Sequence, residues 1–565
     1  MNDLKTVITE KVVDFIKNKG FEAENASVAA LFETPADSKL GDLALPCFKL
    51  SKIFRDRPDN IAKALSGIFE GIGGIEKADA VGGYLDFFFD KKKYLSDTEK
   101  LREASFDAFK EEGEGKTICI DFSSPNIAKR FHLGHIGTTI IGNSLRNIYK
   151  FLGYNVVAIN HLGDWGTSFG KLICAYKMWS SKEIVEREGV SELERIYAKF
   201  NKEAQTNEKL NQDARDAFAD MERGNEEYLE IWRYFREISL REYMKTYKLL
   251  GIDFDSYTGE SFFTDKMPAV VKELREKKLL KIDDGASVID LSEYNMPPCL
   301  ILKRDGSTLY PTRDIAAAKW RKQEYDFYKC LYVTSAGQSL HFAQWFKTVE
   351  LMGYDWAKGL VHVPYGTMSF GGEKLASRTG NIIYLDDLLA QSIEKCEKII
   401  EEKNNALADK KAVARAVGVG AIVFNALANS RIKDTDFNWE DALSFEGSTG
   451  PYLQYTYARA ASVLRRGGER STLVDYEPCD DEAALVRKLS EFASTVNRAA
   501  DEYEPSFISR FALSVCAAFS QFYHNCRILG SGGDTEKYRL ALTEATRNIL
   551  GKCLDLLGMQ RTEEI

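Results

Sequence analysis

Several kinds of chemistry are excluded by what this 565-residue chain lacks. It has only six histidines, and its ten cysteines are scattered so that none lies within four residues of another. That spacing argues against a zinc ribbon or a disulfide framework and fits reduced thiols in a cytoplasmic protein. No apolar run of about 18 residues occurs, so no transmembrane span is expected. The opening stretch MNDLKTVITEKVVDFIKNKG alternates charged and apolar residues at helical spacing, unlike a signal peptide. Positive charge is also short: 76 Lys and Arg stand against 85 Asp and Glu, a net charge of −9. A polyanionic partner must therefore meet a local basic surface, because the whole molecule does not attract it. Internal repeats and low-complexity segments are absent.

What is present is an ordinary globular composition, 44% hydrophobic and 28% charged, in a chain long enough for about two to four domains. Residues 1–112 read as a small α+β unit, with an amphipathic helix first and a strand at Val81–Asp90. The run EEGEGK (111–116) has the charge and glycine content of a linker. Thr117–Phe122 then reads as a strand, Gly134–Phe151 as a helix closed by Gly153, and Asn155–Asn160 as a second strand. Strand, helix and strand in such a short span predict a βαβ unit in a parallel sheet with a right-handed crossover. Residues 171–250 are charged and helical, and read as an insertion or flanking helices. Strands are expected at Ala286–Leu291, Leu331–Thr334 and Leu360–Val363, with a hairpin at Cys299–Tyr310 turning on Asp305-Gly306. From about Leu388 the pattern is almost entirely helical.

The stretch SSPNIAKRFHLGHIG (123–137) places His132 and His135 beside a glycine, between a proline turn and a helix. Three readings compete. A zinc site could draw on His161 and Asp164, but no cysteine cluster accompanies them. A structural pair of histidines is the plain alternative. The phosphate reading explains more. Gly134 permits close backbone approach, and the helix start offers unpaired N–H groups and a positive dipole end at the carboxyl edge of a parallel sheet. Two imidazoles there can donate hydrogen bonds to ATP as charge develops on its α-phosphate.

The tetrapeptide H-x-G-H is weak by itself, but its neighbours are specific. SSPNIAKRFHLGH and NHLGDWGTSFGKL (160–172) resemble the class I aminoacyl-tRNA synthetases, and within them the arginyl-tRNA synthetases. The resemblance continues through YKLLGIDFDSYTGES (247–261), LYPTRDIAAA (309–318), LYVTSAGQSLHFAQWF (331–346) and FEGSTGPYLQYTYARAASVLRR (445–466). It covers most of the chain in the family's order. It implies an α/β fold in three parts: an N-terminal tRNA-contacting α+β domain (1–112), a Rossmann-like parallel-sheet catalytic domain with a helical insertion (113–395), and a helical stem with an all-α anticodon-binding domain (396–565).

The resemblance also implies a two-step reaction. L-Arginine and ATP, as its Mg2+ complex, give arginyl-adenylate and pyrophosphate, and the arginyl group then passes to the terminal ribose of tRNA(Arg). It implies no resident metal and no tightly bound cofactor, no membrane partner, a monomer, and a need for tRNA before the amino acid is activated. His132, Gly134 and His135 match the family's ATP-binding motif. Asp314 matches the position that pairs with the guanidinium, which is best read by a carboxylate. Tyr310, four residues earlier, would share its helix face. Asp121, Asn126, His161 and Gln338 match other arginine-pocket positions. The plain alternatives are a helix cap for Asp314 and a turn for Asn126.

One departure stands out. The family's second mobile loop corresponds to GGEKLASRTGN (371–381), where Lys374 fills the first lysine position but Ser377 stands where the second lysine would be. Many arginyl enzymes share this loss and carry a lysine before the histidine motif, here Lys129; Arg378 is the other candidate for the missing charge. In the C-terminal part, residues 440–565 hold 14 Lys and Arg against 19 Asp and Glu, so bulk charge does not favour RNA. Local pattern does: Arg459, Arg465, Arg466 and Arg470 accompany Tyr452, Tyr455 and Tyr457, and cations with aromatics suit phosphates and unpaired bases. Tyr452, Tyr455, Arg459 and Arg466 are the tRNA contacts expected from it. The competing functions are another class I synthetase, such as the cysteinyl type, and a non-catalytic tRNA-binding paralogue.

Overall fold

The computed structural model describes residues 2–33, 35, 40–103, 106–370, 373–374, 383–404 and 406–565. The opening helix, Asn2–Asn18, buries Leu4, Ile8, Val12 and Ile16, a four-residue spacing that lays one apolar stripe along it. That stripe belongs to a core shared with an antiparallel sheet of order β1-β3-β2, built from β1 (Leu43–Pro46), β2 (Ile75–Val81) and β3 (Tyr84–Phe89). The strand expected at Val81–Asp90 straddles a turn: Val81 ends β2, and Gly82-Gly83, both at positive φ, make a two-residue hairpin.

EEGEGK is docked rather than a free spacer, with Gly113 buried and its N–H donating to the Leu152 carbonyl at 3.0 Å. The chain then enters β4 (Thr117–Asp121) and, through the helix Ile136–Phe151, β5 (Asn155–Ile159). Five helices fill Thr167–Leu250, the last of them the 25-residue helix Glu226–Leu250. A small antiparallel sheet follows, with β6 (Leu280–Asp283), β7 (Ala286–Ile289) and β8 (Cys299–Leu302) in that order. The second arm of the hairpin expected at Cys299–Tyr310 is only a single bridge, Leu302 to Thr308. Pro311 sets up the first turn of a helix, Tyr310–Tyr325, which takes over the chain there.

Next come β9 (Lys329–Ser335), the helix Ser339–Leu351 and β10 (Leu360–Tyr365). The main sheet is parallel throughout, in the order β10-β9-β4-β5. It is covered on both faces, which is why β4 is buried almost end to end. Ile118 and Ile120 join the core of the helix Ile136–Phe151, while Cys119, between them, packs with Trp345 and Val349 on the other face. Trp345 is fully buried, and truncating such a side chain costs roughly 3–5 kcal/mol.

A third small sheet joins β11 (Met368–Phe370), β12 (Glu373–Lys374) and β13 (Thr435–Phe437). The rest of the C-terminal part is helical. It is fastened to the back of the main sheet through the helix Ile136–Phe151: Ser144 Oγ donates to the Leu556 carbonyl at 2.9 Å, Asn147 Nδ2 to Asp555 at 3.0 Å and Tyr149 OH to Ala500 at 2.8 Å. Buried Asp42 of the N-terminal unit accepts from the Phe89 N–H and Tyr94 OH and pairs with Arg487 of the helix Asp480–Ser490. No helix among the described residues is long and apolar enough to cross a membrane.

Candidate active site

The crossover from β4 leads to β5 on one side, and the crossover from β9 leads to β10 on the other. Between β4 and β9 the winding therefore reverses, and in such sheets ligands bind in the crevice at the carboxyl ends of those two strands. A cleft of about 750 Å³ opens there. Asp121, Asn126, Lys129, His135, His161, Tyr310, Asp314 and Gln338 all line it.

At one end stands His135, with His132 packed beside it but not among the residues that line the cleft. His132 is the N-cap of a single turn, Leu133–His135, that runs into the helix Ile136–Phe151. Its Nδ1 accepts the Gly134 N–H at 3.1 Å, and His135 Nδ1 accepts the His132 N–H at 3.3 Å. Each ring therefore carries its proton on Nε2, and the two lie tilted at 40° with centroids 3.9 Å apart. Burial, then the Lys129 charge, lowers the pKa of His132; burial, the adjacent His132 and Lys129 bring His135 down to about 3. Both are neutral Nε2–H donors at pH 7. A Cβ on Gly134 would sit 2.9 Å from the His132 ring, so the glycine keeps that imidazole in place.

Lys129 is exposed on the loop 123–130, which also carries Asn126. Asn126 forms a parallel bridge with Gly163, and a Cβ there would lie 1.9 Å from Asn126 Oδ1, so only glycine fits beneath that amide. The loop is strained: Ser123, Ser124 and Ala128 have φ of +68°, +45° and +63°, a conformation costing roughly 1–2 kcal/mol for each non-glycine residue. His161 Nδ1 lies 3.2 Å from the Thr258 carbonyl, which fixes the proton there and leaves Nε2 as an acceptor; burial lowers its pKa.

At the other end are carboxylates. Asp314 is the fifth residue of the helix Tyr310–Tyr325, whose N-cap is Leu309, so Asp314 does not cap it. Its Oδ2 lies 2.6 Å from His341 Nε2. Tyr310 is two-thirds exposed at the start of the same helix, and Gln338 is exposed after β9. Asp121 lines the cleft with its carboxylate already engaged. Arg321 Nη2 lies 2.7 Å from its Oδ2, and Ser124 Oγ donates to its Oδ1 at 2.7 Å, so it neutralises an arginine of this chain.

Glu260 also lines the cleft and was missed in the sequence. It sits 2.9 Å from Arg313, and burial, only partly offset by that cation, pushes its pKa up to about 7. Its segment is held by fully buried Asp164, which accepts from the Ser261 N–H and Oγ and meets Arg236 at 3.2 Å. That spends Asp164 on structure. The signal available was the acidic residue in TGES, a motif quoted above only for its resemblance.

Ser377 and Arg378 lie outside the described residues, and Lys374 is placed only as part of β12. On the C-terminal helix Gly450–Arg466, the Arg459 guanidinium lies over the rings of Tyr455 and Tyr523, 4.7 and 5.2 Å away, and donates to Tyr455 OH at 3.0 Å. Tyr523, from the helix Ser506–Asn525, was not anticipated. Tyr452 meets Ser520 at 3.1 Å, and Arg466 is exposed at the helix end. Three residues leave the expected basic and aromatic row. Tyr457 is buried with its hydroxyl on Glu563, Arg465 pairs with Glu564, and Arg470 lies past the helix end, paired with Glu544.

A doubly covered parallel sheet with an H-x-G-H turn at its switch point, followed by a helical C-terminal part, defines the class I aminoacyl-tRNA synthetases. Family profiles agree with that class: residues 100–439 match "tRNA synthetases class I (R), catalytic domain", 453–565 match "DALR anticodon binding domain" and 2–89 match "Arginyl tRNA synthetase N terminal domain". The chain belongs to the arginyl-tRNA synthetase family. It is 45% identical over 570 residues to the arginine–tRNA ligase of Alkaliphilus metalliredigens, covering 100% of both chains. It is 45% identical to that of Halothermothrix orenii, covering 98% of this chain and 99% of the relative. Its fold matches the Thermus thermophilus arginyl-tRNA synthetase with a TM-score of 0.84 at 24% identity, over 100% of both chains.

Proposed function

We propose that this protein is an arginine–tRNA ligase whose two substrates meet in the cleft between β4 and β9. The observation that carries this reading is the polarity of that one cleft. The neutral imidazole of His135 and a lysine line one part of it, and the carboxylates of Asp314 and Glu260 another. A guanidinium suits the carboxylate end and a triphosphate the donor end.

In the first step an oxygen of the arginine carboxylate attacks the α-phosphorus of ATP, and the bond to the bridging oxygen breaks to release pyrophosphate. Nε2–H of His132 and His135 donates to the phosphate oxygens as charge builds, and being neutral these donors need not lose a proton to do so. Lys129 supplies the fixed positive charge, in the place of the absent second loop lysine, with Lys374 and Ser377 assigned to ATP by their match to the family's second loop. Mg2+ accompanies ATP as part of the substrate. Asp314 and Glu260 hold the guanidinium, with Tyr310 and Gln338 beside it. Asn126 and His161 face the α-amino and carboxylate end, and Asp121 acts through Arg321 and Ser124. In the second step a hydroxyl of the terminal ribose attacks the arginyl carbonyl carbon and AMP leaves.

The domain roles follow: residues 1–112 meet the tRNA outer corner, 113–395 perform the chemistry, and 396–565 read the anticodon through Tyr452, Tyr455, Arg459 and Arg466. We assign a cytoplasmic monomer, and ten unpaired cysteines suit a reducing compartment. Asp314→Asn keeps size but removes the charge facing the guanidinium, at a cost of roughly 2–5 kcal/mol for truncating one member of a buried charge pair. The KM for arginine should rise at least about tenfold with the KM for ATP unchanged. Normal arginine kinetics in that variant would remove Asp314 from the pocket.

A further inference from the structure

The strained loop 123–130 is held open to the cleft by one face of a helix outside the main sheet. Ser239, Tyr243 and Tyr247 follow each other at four-residue intervals on the helix Glu226–Leu250, and all three are buried. Ser239 Oγ accepts the Ala128 N–H at 2.8 Å, beside that residue's positive φ. Tyr243 OH lies 2.8 Å from the Asn126 carbonyl and 2.6 Å from the Lys129 carbonyl, so one hydroxyl closes the loop across the two residues that face the substrates. Tyr247 OH lies 2.8 Å from Ser123 Oγ and accepts from Asn160 Nδ2 at 2.8 Å. The far end is fixed by Glu194, whose Oε1 accepts the Arg130 N–H at 2.6 Å.

Left-handed serine and alanine residues persist only where the surroundings over-determine them, and strain of this kind collects at functional sites. A core need not supply hydroxyls at this spacing, because phenylalanine would fill the same volume. Ser239 and Tyr243 meet three backbone groups of the loop, the Ala128 N–H and the Asn126 and Lys129 carbonyls, while Tyr247 fixes the side chains of Ser123 and Asn160.

We propose that Ser239, Tyr243 and Tyr247 are positioning residues for the ligase reaction: a polar row that sets Asn126 and Lys129 at the height the substrates require. This rests on the reading of Asn126 and Lys129 given above. None of the three touches substrate. Their effect is on geometry, and small misplacements of such groups cost large factors in rate.

The test uses the full-length protein, steady-state aminoacylation with bulk tRNA, and thermal unfolding. Tyr243→Phe keeps the ring and removes only the hydroxyl. We expect kcat to fall at least about tenfold, the KM for arginine to rise, and the KM for tRNA to stay within about twofold. Combined with Lys129→Ala, the hydroxyl loss should reduce kcat by less than about twofold further, since residues acting through one another are not additive. Ser239→Ala should change the same constants in the same direction, and it carries the test if Tyr243→Phe does not fold. If Lys129→Ala is itself normal, the Lys129 reading falls, and the arginine KM of Tyr243→Phe still reads the inference through Asn126. Wild-type kcat and arginine KM in folded Tyr243→Phe overturn the proposal whatever Lys129→Ala does. So does an activity loss fully accounted for by a lower folded fraction.

Discussion

Lys129 and Glu260 set opposite ends of one cleft, and each gives a residue-scale expectation. A single preorganised cation or donor at a site where charge develops is typically worth about 3–4 kcal/mol, so Lys129→Ala should lower kcat about a hundredfold or more with the fold intact. Adding Ser377→Lys should recover part of that loss, because it restores the lysine that the family's second loop usually carries. Near-normal turnover in Lys129→Ala, or an equal collapse in Arg378→Ala, would move the role to Arg378. Glu260 is instead a matter of pH. Its carboxyl titrates at about 7, pushed up by burial and by Asp314 and Asp164 and held down by Arg313. If Glu260 holds the guanidinium as proposed, arginine binds its ionised form and a proton competes with it below pH 7: the arginine KM should rise as pH falls through that value and stay level above it. Glu260→Gln should raise the KM at pH 8 and flatten this profile. A profile unchanged by Glu260→Gln would place the titrating group elsewhere.

At the scale of elements, the strand, turn and helix that carry His132 and His135 were legible, because strand alternation, the proline turn and the helix start are all local signals. The arginine end was legible only through motifs. Asp314 meets His341 27 residues away and Asp121 meets Arg321 200 residues away, and no periodicity reports a partner at that distance. The hairpin expected at Cys299–Tyr310 ignored Pro311, whose fixed φ starts a helix. Tyr457 and Arg465 were read as an RNA-facing row because spacing gives a helix face but not what covers it. The helix behind the histidines makes the element-level test. Tyr149 OH donates to the Ala500 carbonyl from a buried position, so Tyr149→Phe should cost about 1 kcal/mol of unfolding free energy. Arginine and ATP KM values should hold. An unchanged unfolding midpoint would mean that this tie between sheet and C-terminal helices carries no stability.

At the scale of the molecule, both flanking units are tied to the catalytic sheet or to each other by polar contacts. The Asp42–Arg487 pair joins the N-terminal unit to the C-terminal helices, and Ser144, Asn147 and Tyr149 join those helices to the one that begins beside His135. On the domain roles proposed above, a tRNA on the outer parts would act through these ties on the helix that begins beside His135. This is a physical route for the expected need for tRNA in the activation step. Arginine-dependent ATP–pyrophosphate exchange should accordingly be slight without tRNA and strong with it; robust exchange by the protein alone would show the site to be complete before tRNA binds. The most direct test of the whole account is charging of bulk tRNA, with each of the twenty amino acids offered singly in the presence of ATP and Mg2+. The cleft predicts acid-precipitable product with arginine and background with the rest, cysteine and methionine included. Charging with a different amino acid, or with none, would contradict it.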